Sequence, residues 1–261
     1  MNRHTFVICA YKESPYLEEC VKSVKNQTVP SDLIMATSTS CDHIKEICER
    51  YGIRLYVNQG KTGITQDWNF AYEKCETPYI TIAHQDDIYF PNYTEQIMKQ
   101  AERAGKALLL FSDYYEIRNG EYVKSNLLLK VKRIMLFPLR GKVFQKSRFI
   151  RRRILSLGSP ICCPSVTFCR DNLPRPIFHD HFRSNGDWEA WERISRLKGE
   201  FIYCPQPLMA HRIHADSATT AIIGDKSRTQ EDMEMFCKFW PEGIAGFINW
   251  IYKRCEHSNE I

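Results

Sequence analysis

For the first 115 residues, short apolar runs alternate with stretches of helical spacing. Thr5 to Ala10 reads TFVICA between polar neighbours, which predicts a first strand. Ser14 and Pro15 then open a helix to about Asn26, with Ser as cap and Pro in the first turn. The same alternation predicts strands at Leu33 to Thr37, Arg54 to Asn58, Tyr79 to Ala83 and Ala107 to Tyr115. Helices fall between them at Asp42 to Tyr51, Thr65 to Cys75 and Asn92 to Ala104. Trp68, Phe70 and Ala71 are the packing positions of the third helix, and Asn92 caps the fourth. Strands alternating with helices predict an α/β domain with a mostly parallel sheet covered on both faces.

Beyond residue 115 the alternation stops. Asn119-Gly120 marks a hairpin turn. Apolar and basic positions then interleave in LLLKVKRIMLFPLRGKVF and FIRRRIL. Gly186-Asp187 opens a helical stretch, DWEAWERISRL, and Phe201 to Cys204 reads as a short strand. Near the C-terminus, Phe236, Phe239, Trp240, Ile244, Phe247, Ile248 and Ile251 recur at helical spacing, interrupted at Pro241-Glu242-Gly243. They predict two short amphipathic helices. Packing on the domain and contact with a membrane both fit, because amphipathicity alone does not separate them.

A chain of 261 residues can form one large domain or two small ones. Its eleven cysteines are odd in number and lack a repeated spacing. The opening MNRHTFVICAY reads as a strand rather than a signal peptide, so free thiols in a reducing cytoplasm are expected. Cys162, Cys163 and Cys169 with His179 and His181 match no zinc spacing. No run of about 18 apolar residues is present, so no spanning helix is predicted. GxGxxG and Walker lysine motifs are absent too.

The net charge of +5 conceals an asymmetry. Residues 122–170 hold no Asp or Glu and twelve Lys or Arg, which leaves −7 for the rest of the chain. A block of one sign suggests an anionic partner: phosphate groups, a membrane surface or nucleic acid. No RNA- or DNA-binding motif accompanies it, so nucleic acid is not expected.

The adjacent carboxylates of Asp86 and Asp87 follow directly on the apolar run Tyr79 to Ala83. Like charges repel unless solvent, a donor or a cation offsets them. One reading is a solvated turn; the other is a divalent cation held where open α/β sheets bind ligands. Both carboxylates are expected at a solvent-facing strand end that contributes little to the core.

Several ordered motifs in the first 215 residues resemble glycosyltransferase family 2 with the GT-A fold. The opening FVICAYKESPYLEECVKSVKNQT resembles the family's first strand, nucleotide-contacting loop and first helix. GITQDWNFAYEK resembles the helix that carries an Asn, here Asn69, and HQDD resembles the metal-binding Asp-x-Asp region with His84 at its first position. GDWEAWERIS resembles the acidic segment that supplies the base, and HRIHADSATT the Arg-x-His-x-x-Ser element near the diphosphate. After the second strand the family commonly has Asp-Asp-x-Ser; this chain has ATSTSCD.

The resemblance implies a GT-A, Rossmann-like mostly parallel sheet with helices on both faces, to which the amphipathic stripe above adds a C-terminal helical extension. Residues 1–115 form the nucleotide-binding half, 116–215 the acceptor-side half, and 216–261 the extension. It implies Ala10, Tyr11, Glu13, Thr37, Ser38, Asn69, Asp86, Arg212 and Ser217 around the donor nucleotide. Asp86, Asp87 and His214 are implied metal ligands, for Mg²⁺ or Mn²⁺, and Asp187 the catalytic base, with Glu189 as runner-up. Trp188 and Trp191 either line the site or pack in the core. The implied reaction is inverting transfer of a sugar from a nucleoside diphosphate, with UDP as the expected nucleotide. The implied acceptor is a glycan or a lipid-linked molecule, in cell-surface polysaccharide biosynthesis. Such a protein is expected in the cytoplasm, peripheral on an anionic inner membrane face. Two rival readings remain. A nucleotidyltransferase also uses strand-end carboxylates, but usually with a glycine-rich basic loop that AYKESPY is not. A non-catalytic nucleotide- or membrane-binding module of the same fold is the other.

Overall fold

The computed structural model describes residues 2–214 and 226–257. The first half follows the alternation read above: β1 (His4–Ala10), α1 (Leu17–Lys25), β2 (Asp32–Thr37), α2 (Asp42–Tyr51), β3 (Arg54–Val57), α3 (Ile64–Glu73), β4 (Tyr79–His84). A two-residue strand β5 (Ile88–Tyr89), α4 (Tyr93–Arg103) and the long β6 (Ala107–Arg118) complete it. Neither expected side-chain cap forms: Asn92 stands at the N-cap of α4 without bonding it, and Ser14 lies outside α1. Ser14 Oγ instead accepts the Tyr16 N–H at 3.3 Å, an ST-turn leading into the helix.

The second half supplies β7 (Glu121–Val123), α5 (Leu127–Leu136), α6 (Lys142–Gln145), α7 (Arg148–Ile154), β8 (Val166–Cys169), α8 (Gly186–Ser195) and β9 (Glu200–Ile213). Two helices follow, α9 (Lys226–Cys237) and α10 (Glu242–His257). Asn119 and Gly120, at φ 51° and 83°, make the tight turn between β6 and β7. No helix among the described residues is long and apolar enough to cross a membrane.

Strands run β3-β2-β1-β4-β8-β6-β9-β5, with β7 on β6. The first four are mutually parallel, and β8 is inserted antiparallel between β4 and β6. Phe6, Val7 and Ile8 are all buried because both faces of the sheet are covered. Phe6 and Ile8 pack with α1, α2 and α4 on one face; Val7 packs on the other with α3, α8, α9 and α10.

Strand β9 departs most from the sequence reading. It runs well past Cys204 instead of stopping there, alongside β6 to Ile213. Pro205 and Pro207 donate no ladder hydrogen bond, and the register shifts between Ser112 and Tyr114 absorb them as a bulge. The extension carries His211 and Arg212 back to the end of β4.

Trp188 and Trp191 are fully buried core residues. Trp188 meets Phe236 edge-on and its indole N–H donates to the Leu155 carbonyl at 3.0 Å. Neither ring lines an open site.

Candidate active site

β4 ends in His84, and Gln85–Asp87 turn the chain into β5, closed by Asp87 N–H to His84 O at 3.3 Å. β5 pairs antiparallel with β9, Ile88 opposite Ala210. That pairing sets the next residues of β9 against the two carboxylates. Asp87 Oδ1 accepts from His211 Nδ1 and from the Arg212 backbone N–H, both at 2.9 Å. Asp86 Oδ2 accepts from His214 Nε2 at 2.9 Å. Arg212 donates through Nε to the Asp86 carbonyl at 2.9 Å and through its terminal nitrogen to Glu19 at 2.6 Å, with Tyr16 under its guanidinium.

Asp87 is 0% exposed, not the solvent-facing residue the sequence suggested. One oxygen fastens β9; the other, Oδ2, is buried without a hydrogen-bond partner, as is His84 Nε2. Ligand atoms of His84, Asp86 and Asp87 lie within 4.8 Å of one another. Two orphaned buried polar atoms beside a second carboxylate fit a divalent cation, since such atoms are costly without a partner. His84 therefore joins the ligand candidates; its signal in the sequence was its place at the first position of HQDD. Trp68 stacks on it at 5.2 Å and fixes the ring.

Charge in this cluster is distributed unevenly. Burial holds His84 below the ordinary imidazole range, although Asp87 and Asp86 oppose it. Burial would lower His211 too, but its contact with Asp87 outweighs that and raises it. Burial would raise Asp86; His84, His211 and the His214 hydrogen bond together hold it below the usual carboxylate range.

The β1–α1 loop borders the same end of the sheet. Ala10 is buried, while Tyr11 and Glu13 are exposed. Gln85 binds the loop at both ends of its amide, accepting the Tyr11 N–H at 2.9 Å and donating to the Tyr11 carbonyl at 3.0 Å. Lys12 takes a left-handed φ of 53° and donates its N–H to Thr39 Oγ1 at 2.6 Å. Thr37 is buried, with its hydroxyl accepting the Thr39 N–H at 3.0 Å. Ser38 donates to Asp67 Oδ2 at 2.6 Å, and Asn58 to Asp67 Oδ1 at 2.7 Å. A carboxylate thus stands beside Ser38 after all, supplied by α3 rather than β2. Sequence reading missed Asp67 because that contact crosses 29 residues. Asn69 forms a two-bond strut to the Phe178 backbone, at 2.7 and 3.0 Å. Ser217 lies outside the described residues.

Asp187 sits in the first turn of α8, its Oδ1 accepting the Trp188 N–H at 2.7 Å. Burial raises its proton affinity above the ordinary Asp range, opposed by that N–H, Lys132 and Arg228. Lys132 reaches in from α5 and donates to the Tyr114 hydroxyl at 2.9 Å. Burial pushes the Cys162 and Cys163 thiols well up, and both Asp87 and Asp187 add to the effect. Both aspartates thus act electrostatically on the same two thiols. Glu189 points elsewhere, pairing with Lys238 at 3.1 Å.

A sheet of this order, with carboxylates at the end of β4 and an acidic helix start across from them, defines the GT-A class of glycosyltransferase. The chain belongs to glycosyl transferase family 2, whose sequence profile matches residues 5–173, and it is a transferase enzyme. It is 27% identical over 247 residues to the glycosyltransferase GlyG of Streptococcus pneumoniae, covering 89% of this chain and 77% of that one. Among solved structures it resembles residues 1–349 of Staphylococcus aureus TarS in complex with UDP-GlcNAc, with a TM-score of 0.61 and 14% identity. That match covers 95% of this chain and 70% of the TarS fragment; the chain spans 42% of the longer TarS structure. It also resembles the mannosyltransferase PcManGT of Pyrobaculum calidifontis, solved with GDP-Man and Mn²⁺, at a TM-score of 0.63 and 16% identity. There the match covers 90% of this chain and 63% of the other.

Proposed function

We propose that the protein is an inverting transferase that moves a sugar from a nucleoside diphosphate, UDP by preference, to a glycan or lipid-linked acceptor. The observation that carries this reading is the pairing of two opposite environments. Asp86 is held as an anion in a histidine-rich cage, whereas Asp187 is held proton-hungry at a helix start. Residues 1–115 hold the nucleotide and 116–215 face the acceptor. Ala10, Tyr11, Glu13, Thr37, Ser38, Asn69, Arg212 and Ser217 surround the donor, with Asp67 added beside Ser38. The route is cell-surface polysaccharide synthesis at the cytoplasmic face of a membrane.

Asp187 accepts the proton of the acceptor hydroxyl as its oxygen bonds to the anomeric carbon. The bond from that carbon to the diphosphate oxygen breaks on the opposite side, and the diphosphate leaves with the electron pair. One displacement inverts the centre and leaves no sugar on the enzyme. His84, Asp86, Asp87 and His214 would hold the divalent cation. When bound, it offsets the charge growing on the leaving diphosphate. A donor set containing imidazole favours Mn²⁺ over Mg²⁺, which prefers oxygen alone. Arg212 adds a fixed positive charge beside the cage.

The test is a panel of UDP- and GDP-sugars scored for metal-dependent nucleotide release, with the anomeric configuration of the product determined. Asp187→Asn should reduce transfer by roughly 10²–10⁴-fold, the usual worth of a general base, while donor binding persists. A retained configuration, or full activity of Asp187→Asn, would overturn the mechanism.

A further inference from the structure

We propose that the outer faces of α5, α6 and the start of α7 form a docking surface for an anionic lipid bilayer. Leu127, Val131 and Ile134 recur at i, i+4 and i+7 and form one stripe along α5. Leu127 and Ile134 are 74% and 72% exposed. The opposite face of the same helix is fully committed. Leu129 and Leu136 are buried, Lys132 bonds Tyr114, and Arg133 pairs with Asp113 at 2.8 Å. The stripe continues through exposed Phe137, Val143, Phe144 and Phe149. These segments pack against one another in series. Of the sixteen large hydrophobic side chains exposed among the described residues, eight lie between Leu127 and Leu157. Such a concentration marks an interaction surface.

Charge selects the occupant. Lys124, Lys130, Arg140, Lys142, Lys146 and Arg148 are exposed along these segments, and no acidic residue occurs from 122 to 170. A second copy docking by a two-fold axis would set these cations against themselves. An anionic bilayer accepts both the apolar stripe and the cations around it. Not every basic residue of the window takes part. Arg151 is 0% exposed and donates to the Leu197 carbonyl at 2.8 Å; Arg152 pairs with Glu192 and donates to the Lys238 carbonyl. The geometry also gives the surface a purpose. Lys132, on the inner face of α5, is close enough to Asp187 to lower its proton affinity through space, so the helix that meets the bilayer also reaches toward the acceptor side. Acceptor delivery by that route rests on the transfer reaction proposed above; the docking itself does not.

The test is co-sedimentation of the full chain with phosphatidylcholine vesicles, with and without about 30% phosphatidylglycerol. Binding is expected only with the anionic lipid and should fall as salt rises from about 0.05 to about 0.5 M, which shortens the screening length. Replacing Lys130, Lys142 and Lys146 by Gln should weaken binding by about 10²-fold, each cation near such a surface being worth about fivefold. Replacing Leu127, Ile134, Val143 and Phe144 by Gln should abolish it, with melting temperature and nucleotide binding unchanged. Indifference of the native chain to anionic vesicles at low salt would overturn the proposal. So would an apolar variant that binds as well as the native chain. A native dimer, by light scattering, that the apolar variant dissociates would reassign the stripe to self-association. None of these readouts needs turnover, so failure of the proposed donor chemistry would be seen separately.

Discussion

Adjacent aspartates carry different burdens. Asp86 keeps partial solvent contact and one histidine partner; Asp87 is buried and accepts two donors from β9. Asp87→Ala leaves those donors unmet, at about 1–3 kcal/mol each. We expect it to lose about 2–6 kcal/mol of stability in urea unfolding, while Asp86→Ala loses little and chiefly abolishes metal-dependent donor binding. Equal stability of the two variants would contradict the assignment. Asp187 gives a pH signature. Its folded proton affinity is raised by burial, so as pH rises the unfolded chain ionises first. Between the unfolded and folded pKa values the native state binds more protons, and stability falls with rising pH. Asp187→Asn should therefore be more stable than the native protein at neutral pH, a gain that vanishes below the ordinary Asp range near ~3.9. Chemical denaturation across pH measures it. The acid limb of kcat/KM should likewise lie above that range.

At the scale of the element, α8 is aimed by its neighbours. Gly186 lets it approach α3 closely: a Cβ there would lie 2.5 Å from Thr65 Cγ2. Gly186→Ala must push the start of α8 away, and Asp187 with it. Misplacing a catalytic group by an ångström costs about 10²-fold, so kcat should fall on that order. Nucleotide affinity, set mainly by the loops after β1 and β4, should fall much less than kcat; binding calorimetry beside steady-state kinetics distinguishes the two. Glu231 on α9 holds the same start from the other side. Its carboxylate accepts the backbone N–H groups of Arg183, Ser184 and Asn185 at 2.9, 2.9 and 3.1 Å. Removing those bonds would loosen the base without touching it.

Across the whole molecule, the C-terminal helices share the core on one face of the sheet. Phe236 is buried against Trp188 and Tyr252, and Met235 and Ala245 join the same cluster. Phe236→Ala should cost about 3–5 kcal/mol, the usual range for a buried aromatic. In a chain of this size that is about 6–20 °C of melting temperature. A shift of under about 2 °C would mean that these helices are peripheral. Their outer side, with Ile244, Phe247, Trp250 and Ile251, stays exposed. The expected packing of this amphipathic stripe on the domain is met on its inner side.

Apart from the two-residue β5, the strands and helices of residues 4–118 were legible because buried parallel strands and amphipathic helices impose their own periods on the chain. The pair Asp86-Asp87 was legible because it follows directly on a readable strand, whereas Asp187 was marked by the resemblance of GDWEAWERIS to the family's acidic segment. Residues 122–170 resisted because α5 carries apolar residues on both its buried and its exposed face, and α6 and α7 span only four and seven residues. β9 was read short because two prolines ordinarily end a strand, and only pairing with β6 shows them absorbed as a bulge. The cage around the carboxylates depends on contacts more than 120 residues apart, His211 and Arg212 on Asp87 and His214 on Asp86. Local pattern carries no trace of such distances. The sequence by itself determined the strand–helix alternation of the first half and where acidic groups gather. Tertiary structure decided which aspartate is buried, which arginines face inward, and which histidines meet the acid, since each is settled by the partner that packing brings.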